Sequence, residues 1–258
     1  MHGRLVLEYD GSCFGGWARQ PGRRTVQAEV ERALRIALRD PALTLIVAGR
    51  TDAGVHALEQ VASYAGPPAS VRSLNALLPS DVAVLSCAEA PEGFDARRDA
   101  TSRAYLYRVL ARPGRPALQR QRVLHWPRRL DRGLLDECAA AVVGTHDFTA
   151  FTPTESDHVR FSRVVMAAFW REASEGLLEY FVEADTFMRH MNRVLVGTML
   201  EVASGRRALE DFTSLLQGRP RVAGGPTAPA HGLHLVGVGY GGEPVLGAGW
   251  RSSSASSP

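Results

Sequence analysis

The sequence predicts an α+β protein made of two similar mixed α/β halves, whose mainly antiparallel sheets form a central cleft. Short runs of alternating or continuous apolar residues, typical of strands, are interspersed with runs of apolar residues at helical spacing. The order of these strands and helices recurs in the second part of the chain, without a residue-level repeat. Because each half mixes both kinds of element, the α+β class is favoured.

The first half begins with an alternating strand at residues 4–9. Thr25 is placed to cap a helix, since apolar residues from Val26 to Leu38 recur at helical spacing before Asp40-Pro41. The remaining elements are short apolar or alternating runs bounded by loop residues: strands at 43–48, 60–65 and 82–88, and a helix at 70–78 that Pro79 ends.

The second half begins with an alternating strand at 104–111. Asp131 is placed to cap a helix that ends before Gly144, and a longer helix from about 186 to 204 ends at Gly205. The other predicted elements are strands at 122–126, 164–171, 177–184 and 233–240, and a helix at 209–216. We place the halves at 1–104 and 105–242, and expect the Gly/Ser-rich segment 243–258 to be a disordered tail.

Composition excludes several classes of protein. The 258 residues are 45 % apolar and 22 % charged, which is ordinary for a globular protein. No apolar run approaches the roughly 20 residues of a membrane helix, and the N-terminus becomes charged too soon for a signal peptide. Cys13, Cys87 and Cys138 form no CxxC pair, and the histidines have no metal-ligand spacing. We therefore expect a cytoplasmic protein with no membrane association and no metal.

The sequence contains no lysine, so all 30 basic residues are arginine. Every mechanism that requires a lysine amine is therefore excluded, including Schiff bases, pyridoxal phosphate chemistry, the Walker P-loop and the protein-kinase lysine.

The arginines are unevenly distributed. Residues 97–132 hold eleven arginines and only two acids, so this segment carries +9 in a chain whose net charge is +3. Such a segment is typical of a surface that binds a polyanion, and the interleaved Tyr105, Tyr107 and Trp126 offer faces for bases. The alternative is a solvated face balanced by acids elsewhere in the fold.

The sharpest chemical feature is the loop Gly49-Arg50-Thr51-Asp52-Ala53-Gly54, which follows an apolar run. Arg50 and Asp52 point the same way if the backbone is extended. The guanidinium then keeps the carboxylate ionised, with a pKa at or below about 3.9, which suits a nucleophile or charge stabiliser. The alternative is an Asp/Gly turn with a local ion pair.

Several distinctive motifs follow one another along the chain. The signature loop continues as Gly49-Arg50-Thr51-Asp52-Ala53-Gly54-Val55-His56. The other blocks are Glu8-Tyr9-Asp10-Gly11-Ser12, Thr25-Val26-Gln27, Arg103-Ala104-Tyr105-Leu106-Tyr107, Gly144-Thr145-His146-Asp147-Phe148, Phe187-Met188-Arg189-His190-Met191-Asn192-Arg193 and Ala230-His231-Gly232-Leu233-His234. Together with the loop, these blocks resemble the tRNA pseudouridine synthase A family. Six or more blocks in order are specific where one alone is weak.

The resemblance implies the pseudouridine synthase fold and isomerisation of uridine to pseudouridine at positions 38, 39 and 40 in the anticodon stem–loop of tRNA. It implies a homodimer with no cofactor. It assigns Asp52 as the catalytic aspartate, Arg50 as its guanidinium partner, Tyr105 as the ring that stacks on the target uracil, and Arg193 as a basic residue near the pocket. Ala18, Ala104 and Asn192 depart from the family pattern.

Two other functions are weighed against isomerisation. A non-catalytic RNA-binding protein would keep the scaffold, although the intact set of Arg50, Asp52 and Tyr105 argues against it. A carboxylate-based glycoside or nucleotide hydrolase would need a second acid near Asp52 and an activated water. Asp52 can attack C1′, add to C6 or remove the 2′ proton, and the residues alone leave these three routes open.

Overall fold

The computed structural model describes residues 1–155 and 159–247. Among them it has ten strands and five α-helices. The strands are β1 (His2–Tyr9), β2 (Ile46–Val47), β3 (His56–Ala65), β4 (Val82–Ala90), β5 (Ala100–Leu110), β6 (Leu124–His125), β7 (Gly144–Asp147), β8 (Ser162–Ser174), β9 (Leu177–Ala184) and β10 (Leu233–Tyr240). The helices are α1 (Val26–Leu38), α2 (Val71–Leu77), α3 (Arg132–Val142), α4 (Met191–Ala203) and α5 (Leu209–Leu215). The predicted α+β class is confirmed.

The chain folds into two compact units. The first holds Met1–Thr101 and His234–Glu243, and the second holds the described residues of Ser102–Leu233 together with 244–247. β10 therefore packs with the first unit although it comes near the end of the chain. The domain limits 1–104, 105–242 and 243–258 stay a prediction, and residues 248–258 of the expected tail lie outside the described residues. None of the described helices is long and apolar enough to span a membrane.

In the first unit, β3 organises the sheet. It pairs antiparallel with β1, which in turn pairs antiparallel with β4. The N-terminal end of β3 pairs in parallel with β10, whereas its C-terminal part pairs antiparallel with β2. Leu5, Leu7 and Tyr9 alternate with more exposed neighbours along β1 and are buried. The loop from β2 to β3 therefore ends at the part of β3 that pairs with β10.

The sheet of the second unit has the strand order β5-β9-β8-β7, with all three pairings antiparallel. β6 adds to β5 in parallel. All eight residues of β9 are buried, as expected for a strand with neighbours on both sides. α4 is also buried on nearly all sides, since its sequence is apolar around most of its circumference.

Several boundaries differ from the sequence-based expectation. The expected strand at 43–48 contains only the two-residue β2, and the expected strand at 122–126 only the two-residue β6. The expected long helix from 186 is wrong at its beginning: α4 begins at Met191, because His190 adopts a left-handed conformation, with φ 61°, just before it. Thr25 precedes α1 in extended conformation, but its side chain makes no capping hydrogen bond.

A buried carboxylate fixes the chain after β10. Glu183 in β9 is fully buried and accepts hydrogen bonds from the backbone N–H groups of Val245 and Leu246, both at 2.8 Å. The Ser102 hydroxyl also donates to it at 2.5 Å. These three hydrogen bonds to the carboxylate offset the cost of removing it from water. Val245 and Leu246 are therefore held by specific contacts, within the segment whose composition predicted a disordered tail.

We expect Glu183→Gln to lower the free energy of unfolding of the second unit by about 2–4 kcal/mol, because the amide loses the charge and turns N–H groups toward existing donors. The matched control is Glu172→Gln, which removes an exposed ion pair with Arg132 and should cost less than about 1 kcal/mol. Urea denaturation measures both variants. Equal losses would contradict the role of Glu183.

Candidate active site

The Arg50–Asp52 segment lies in the loop between β2 and β3. Arg50 is exposed and Asp52 is half-buried, while Thr51 between them is buried at 8 % exposure. The loop closes with a hydrogen bond from Val55 N–H to the Asp52 carbonyl, at 3.2 Å. The alternation turns Thr51 toward the interior and leaves Asp52 accessible, so the carboxylate is not sealed inside the core.

The inner side of this loop is held by two polar residues of the sheet. The hydroxyl groups of Tyr9 on β1 and Thr51 are hydrogen-bonded at 2.8 Å. Gln60 on β3 donates its side-chain N–H to the Gly49 carbonyl at 2.7 Å and to the Tyr9 oxygen at 3.3 Å. Tyr9 is 4 % exposed and Gln60 is fully buried. Burial raises the pKa of Tyr9 to about 12, so its hydroxyl keeps its proton at neutral pH.

The outer side of the loop is held by the segment after β1. The backbone N–H of Trp17 donates to the Thr51 carbonyl at 3.0 Å, and the backbone N–H of Gly11 donates to Nδ1 of His56 at 3.1 Å. Gly16 has φ +100°, and a Cβ there would come 2.9 Å from the Thr51 oxygen. Only glycine suits this close approach of two backbones. The opening motif and the signature loop are thus packed directly against each other.

His56, the first residue of β3, is buried at the end of the signature loop. Its ring stacks on His234 of β10 with centroids 4.6 Å apart, and its Nδ1 lies 3.2 Å from an Asp10 carboxylate oxygen. These contacts attach the end of the loop to the sheet. They make His56 a structural residue of the loop.

Tyr105 lies in the second unit, on β5. Tyr105 is 7 % exposed, and its backbone pairs with that of Val182 in β9. Its ring meets Phe187 edge to face, with centroids 5.1 Å apart and planes at 84°. The edge contact fixes the plane of the Tyr105 ring. Tyr107, two residues on, is fully buried and donates to the Pro229 carbonyl, so it offers no face to a base.

Arg193 lies in the first turn of α4, also in the second unit. Its Nε donates to the Ala228 carbonyl at 2.8 Å, and its own carbonyl accepts from Ala228 N–H at 3.0 Å. Burial lowers the pKa of His231, and the positive charge of Arg193 lowers it further. Arg193 thus places a fixed positive charge beside this histidine. Of the four predicted site residues, Arg50 and Asp52 belong to the first unit, and Tyr105 and Arg193 to the second.

The basic segment 97–132 is divided between structure and surface. Arg103 is buried and donates to the Asp185 carbonyl, while Arg108 is paired with Glu179 at 3.2 Å. The exposed arginines of the segment are Arg97, Arg98, Arg112, Arg115, Arg120, Arg122, Arg128 and Arg129. The segment therefore keeps most of its charge at the surface, six of these arginines lying in the second unit.

Comparison with known proteins identifies the family. A tRNA pseudouridine synthase sequence model matches residues 138–241. The tRNA pseudouridine synthase A of Frankia casuarinae is 43 % identical over 251 residues, which cover 95 % of this chain and 91 % of the relative. That of Bacillus pumilus is 38 % identical, covering 93 % and 99 %, and that of Bacillus subtilis is 35 % identical, with the same coverage. The chain belongs to the tRNA pseudouridine synthase A family.

Sequence reasoning missed the residues that support the family's signature loop. In the sequence, Tyr9 is recognisable only as part of the opening motif, and Gln60 only as a residue of a predicted strand. No local pattern singles out Gln60, because β3 also contains His56, Glu59 and Ser63. Of the three departures from the family pattern, Ala18 is half-buried and Ala104 is fully buried. Asn192 is 5 % exposed with an unpaired side-chain oxygen.

We expect Gly16→Ala to destabilise the protein more than Gly22→Ala. Both glycines have positive φ, but nothing lies within 4 Å of a Cβ at Gly22, whereas Gly16 faces the Thr51 carbonyl. Gly22→Ala should lower the free energy of unfolding by about 1 kcal/mol, and Gly16→Ala by about 1–3 kcal/mol more. Urea denaturation checks the difference. Equal losses would mean that the loop tolerates displacement by the segment before it.

Proposed function

We propose that this protein isomerises uridine to pseudouridine in the anticodon stem–loop of tRNA, at positions 38, 39 and 40, with Asp52 as the catalytic residue. The observation that carries the proposal is the half-buried Asp52 carboxylate, placed next to a Thr51 that is fixed in the interior. Membership of the tRNA pseudouridine synthase A family supports the reaction, since the relatives are named for it.

The reaction balances within the nucleotide. The N1–C1′ bond of uridine breaks, the base turns while it is held, and a C5–C1′ bond forms as C5 loses a proton and N1 gains one. No external oxidant or reductant takes part. Asp52 contributes an accessible carboxylate that attacks C1′, adds to C6 or removes the 2′ proton.

The target base must leave the helix stack to reach such a site, at a cost of a few kcal/mol. In our proposal, Tyr105 offers the aromatic surface for the everted uracil, and its contact with Phe187 keeps that ring in one orientation. Arg50 and Arg193 contact the substrate. The exposed arginines of residues 97–132 bind phosphates while the base is everted.

We also propose that the protein is a homodimer and works in the cytoplasm. The support for both is the resemblance of the motifs to the family over nearly the whole chain.

We expect Asp52→Asn to lower pseudouridine formation by roughly 10³-fold or more while tRNA affinity stays within about threefold, because the amide keeps the shape but not the charge or basicity. Release of the C5 tritium from labelled tRNA measures turnover, and filter binding measures affinity. Asp136→Asn, on the exposed face of α3, is the control and should have wild-type activity.

Three results would contradict the proposal. Wild-type turnover by the Asp52→Asn variant would remove Asp52 from the mechanism. Free uracil released by the wild-type protein, instead of pseudouridine within intact tRNA, would favour the hydrolase. A wild-type protein that binds tRNA without either product would be the non-catalytic binder.

We expect tRNA affinity to fall steeply with salt, and the slope of log K against log [salt] to become shallower when Arg128 and Arg129 are both changed to Gln. Each lost phosphate contact should reduce the slope by about 0.7–0.9. Both side chains are exposed in the basic segment. Arg72→Gln, on α2 of the first unit, is the control. A slope unchanged by the double substitution would remove this part of the segment from the RNA-binding surface.

A further inference from the structure

Thr51 is one of the residues through which the interior of the first unit contacts the signature loop. It lies between Arg50 and Asp52, and its side chain and carbonyl are both engaged: Oγ1 with the Tyr9 hydroxyl at 2.8 Å, and the carbonyl with Trp17 N–H at 3.0 Å. Because Asp52 is joined directly to this residue, rotation of the Thr51 backbone would move the carboxylate.

Tyr9 and Gln60 are directed at the loop from neighbouring strands. The pairing of β1 with β3 shifts register between Leu7 and Tyr9, which places Tyr9 opposite Ala57 near the beginning of β3. Such irregularities re-aim side chains next to functional sites. Gln60 then donates to the Tyr9 oxygen, which leaves the Tyr9 proton available for Thr51.

The three side chains form a connected and buried network. The exposed fractions are 4 % for Tyr9, 8 % for Thr51 and zero for Gln60, whose amide also donates to the Gly49 carbonyl at 2.7 Å. The network therefore holds the loop on both sides of Arg50, at Gly49 and at Thr51. In a buried site each lost partner leaves a polar group unsatisfied, so the loop has a strong preference for one position.

We propose that Tyr9, Gln60 and the hydroxyl of Thr51 are positioning residues for Asp52. They do not contact the substrate; they hold the backbone on which the carboxylate is carried. A displacement of about 1 Å at a reacting group can cost on the order of 10²-fold in rate, so loss of the network should reduce turnover far more than binding. The inference rests on the proposed function, because it takes Asp52 as the catalytic residue.

The test uses two substitutions at the same position. Thr51→Val keeps the shape of the side chain and removes the hydroxyl, whereas Thr51→Ser keeps the hydroxyl and removes a methyl group. Single-turnover formation of pseudouridine with saturating enzyme, and the dissociation constant of tRNA, are measured for the full-length chain. We expect Thr51→Val to be about 10–100-fold slower with tRNA affinity within about threefold, and Thr51→Ser to be within about threefold of wild type.

Tyr9→Phe provides the second arm. It removes only the other hydroxyl of the same hydrogen bond, and should slow turnover by a similar factor of about 10–100. Both substitutions break the same hydrogen bond. The turnover rate of the double variant Tyr9→Phe/Thr51→Val should therefore lie within about threefold of that of the slower single variant. The control is Tyr64→Phe: Tyr64 is a buried tyrosine of β3 whose hydroxyl donates to the Pro67 carbonyl, away from the loop. It should keep wild-type turnover.

The results separate this inference from the proposed function. If Asp52→Asn abolishes turnover but Tyr9→Phe and Thr51→Val keep the wild-type rate, the positioning network is refuted and the catalytic assignment stands. If Asp52→Asn keeps turnover, the proposed function fails first. Equal losses for Thr51→Ser and Thr51→Val, or a loss with Tyr64→Phe as large as with Tyr9→Phe, would indicate a general effect of destabilisation and would also overturn the network. Should Thr51→Val not fold, the comparison of Tyr9→Phe with Tyr64→Phe decides.

Discussion

The hydrogen bond between the hydroxyl groups of Tyr9 and Thr51 is the interaction on which the site of the first unit depends. A carboxylate with the catalytic role that we propose for Asp52 needs access to its substrate, so burial cannot fix its position. This chain buries the preceding residue instead and attaches it to the sheet. The glycine-rich segment after β1 packs on the other side through Trp17 and Gly16. Asp52 can therefore be accessible and still have one position.

The second unit uses its charged residues in two ways. Arg103 and Arg108 are held by partners within the fold, as is the buried carboxylate of Glu183. Most of the other arginines of the basic segment are exposed at the surface, where we propose that they bind phosphates. The distinction follows from solvation: a buried charge requires a partner, whereas an exposed one is stabilised by water until a phosphate displaces it.

Local patterns predicted most elements, whereas long-range pairing could not be read from them. Alternation in β1 and apolar spacing in α1 depend on neighbouring residues, and both elements were predicted. β2 and β6 are only two residues long because partner strands limit their pairing, which no local pattern reveals. β7 was missed because Gly144–Asp147 has little apolar alternation. Asp52 followed from its motif, but Tyr9 and Gln60 meet the loop only after β1 and β3 pair.

The most direct test of the account is an experimental structure of the Asp52→Asn variant bound to an anticodon stem–loop RNA. The account predicts an everted uridine whose ribose lies against the side chain at position 52, with the hydrogen bond between Tyr9 and Thr51 kept. A target uridine still stacked and paired in the RNA, or a side chain at position 52 turned away from the nucleotide, would contradict it.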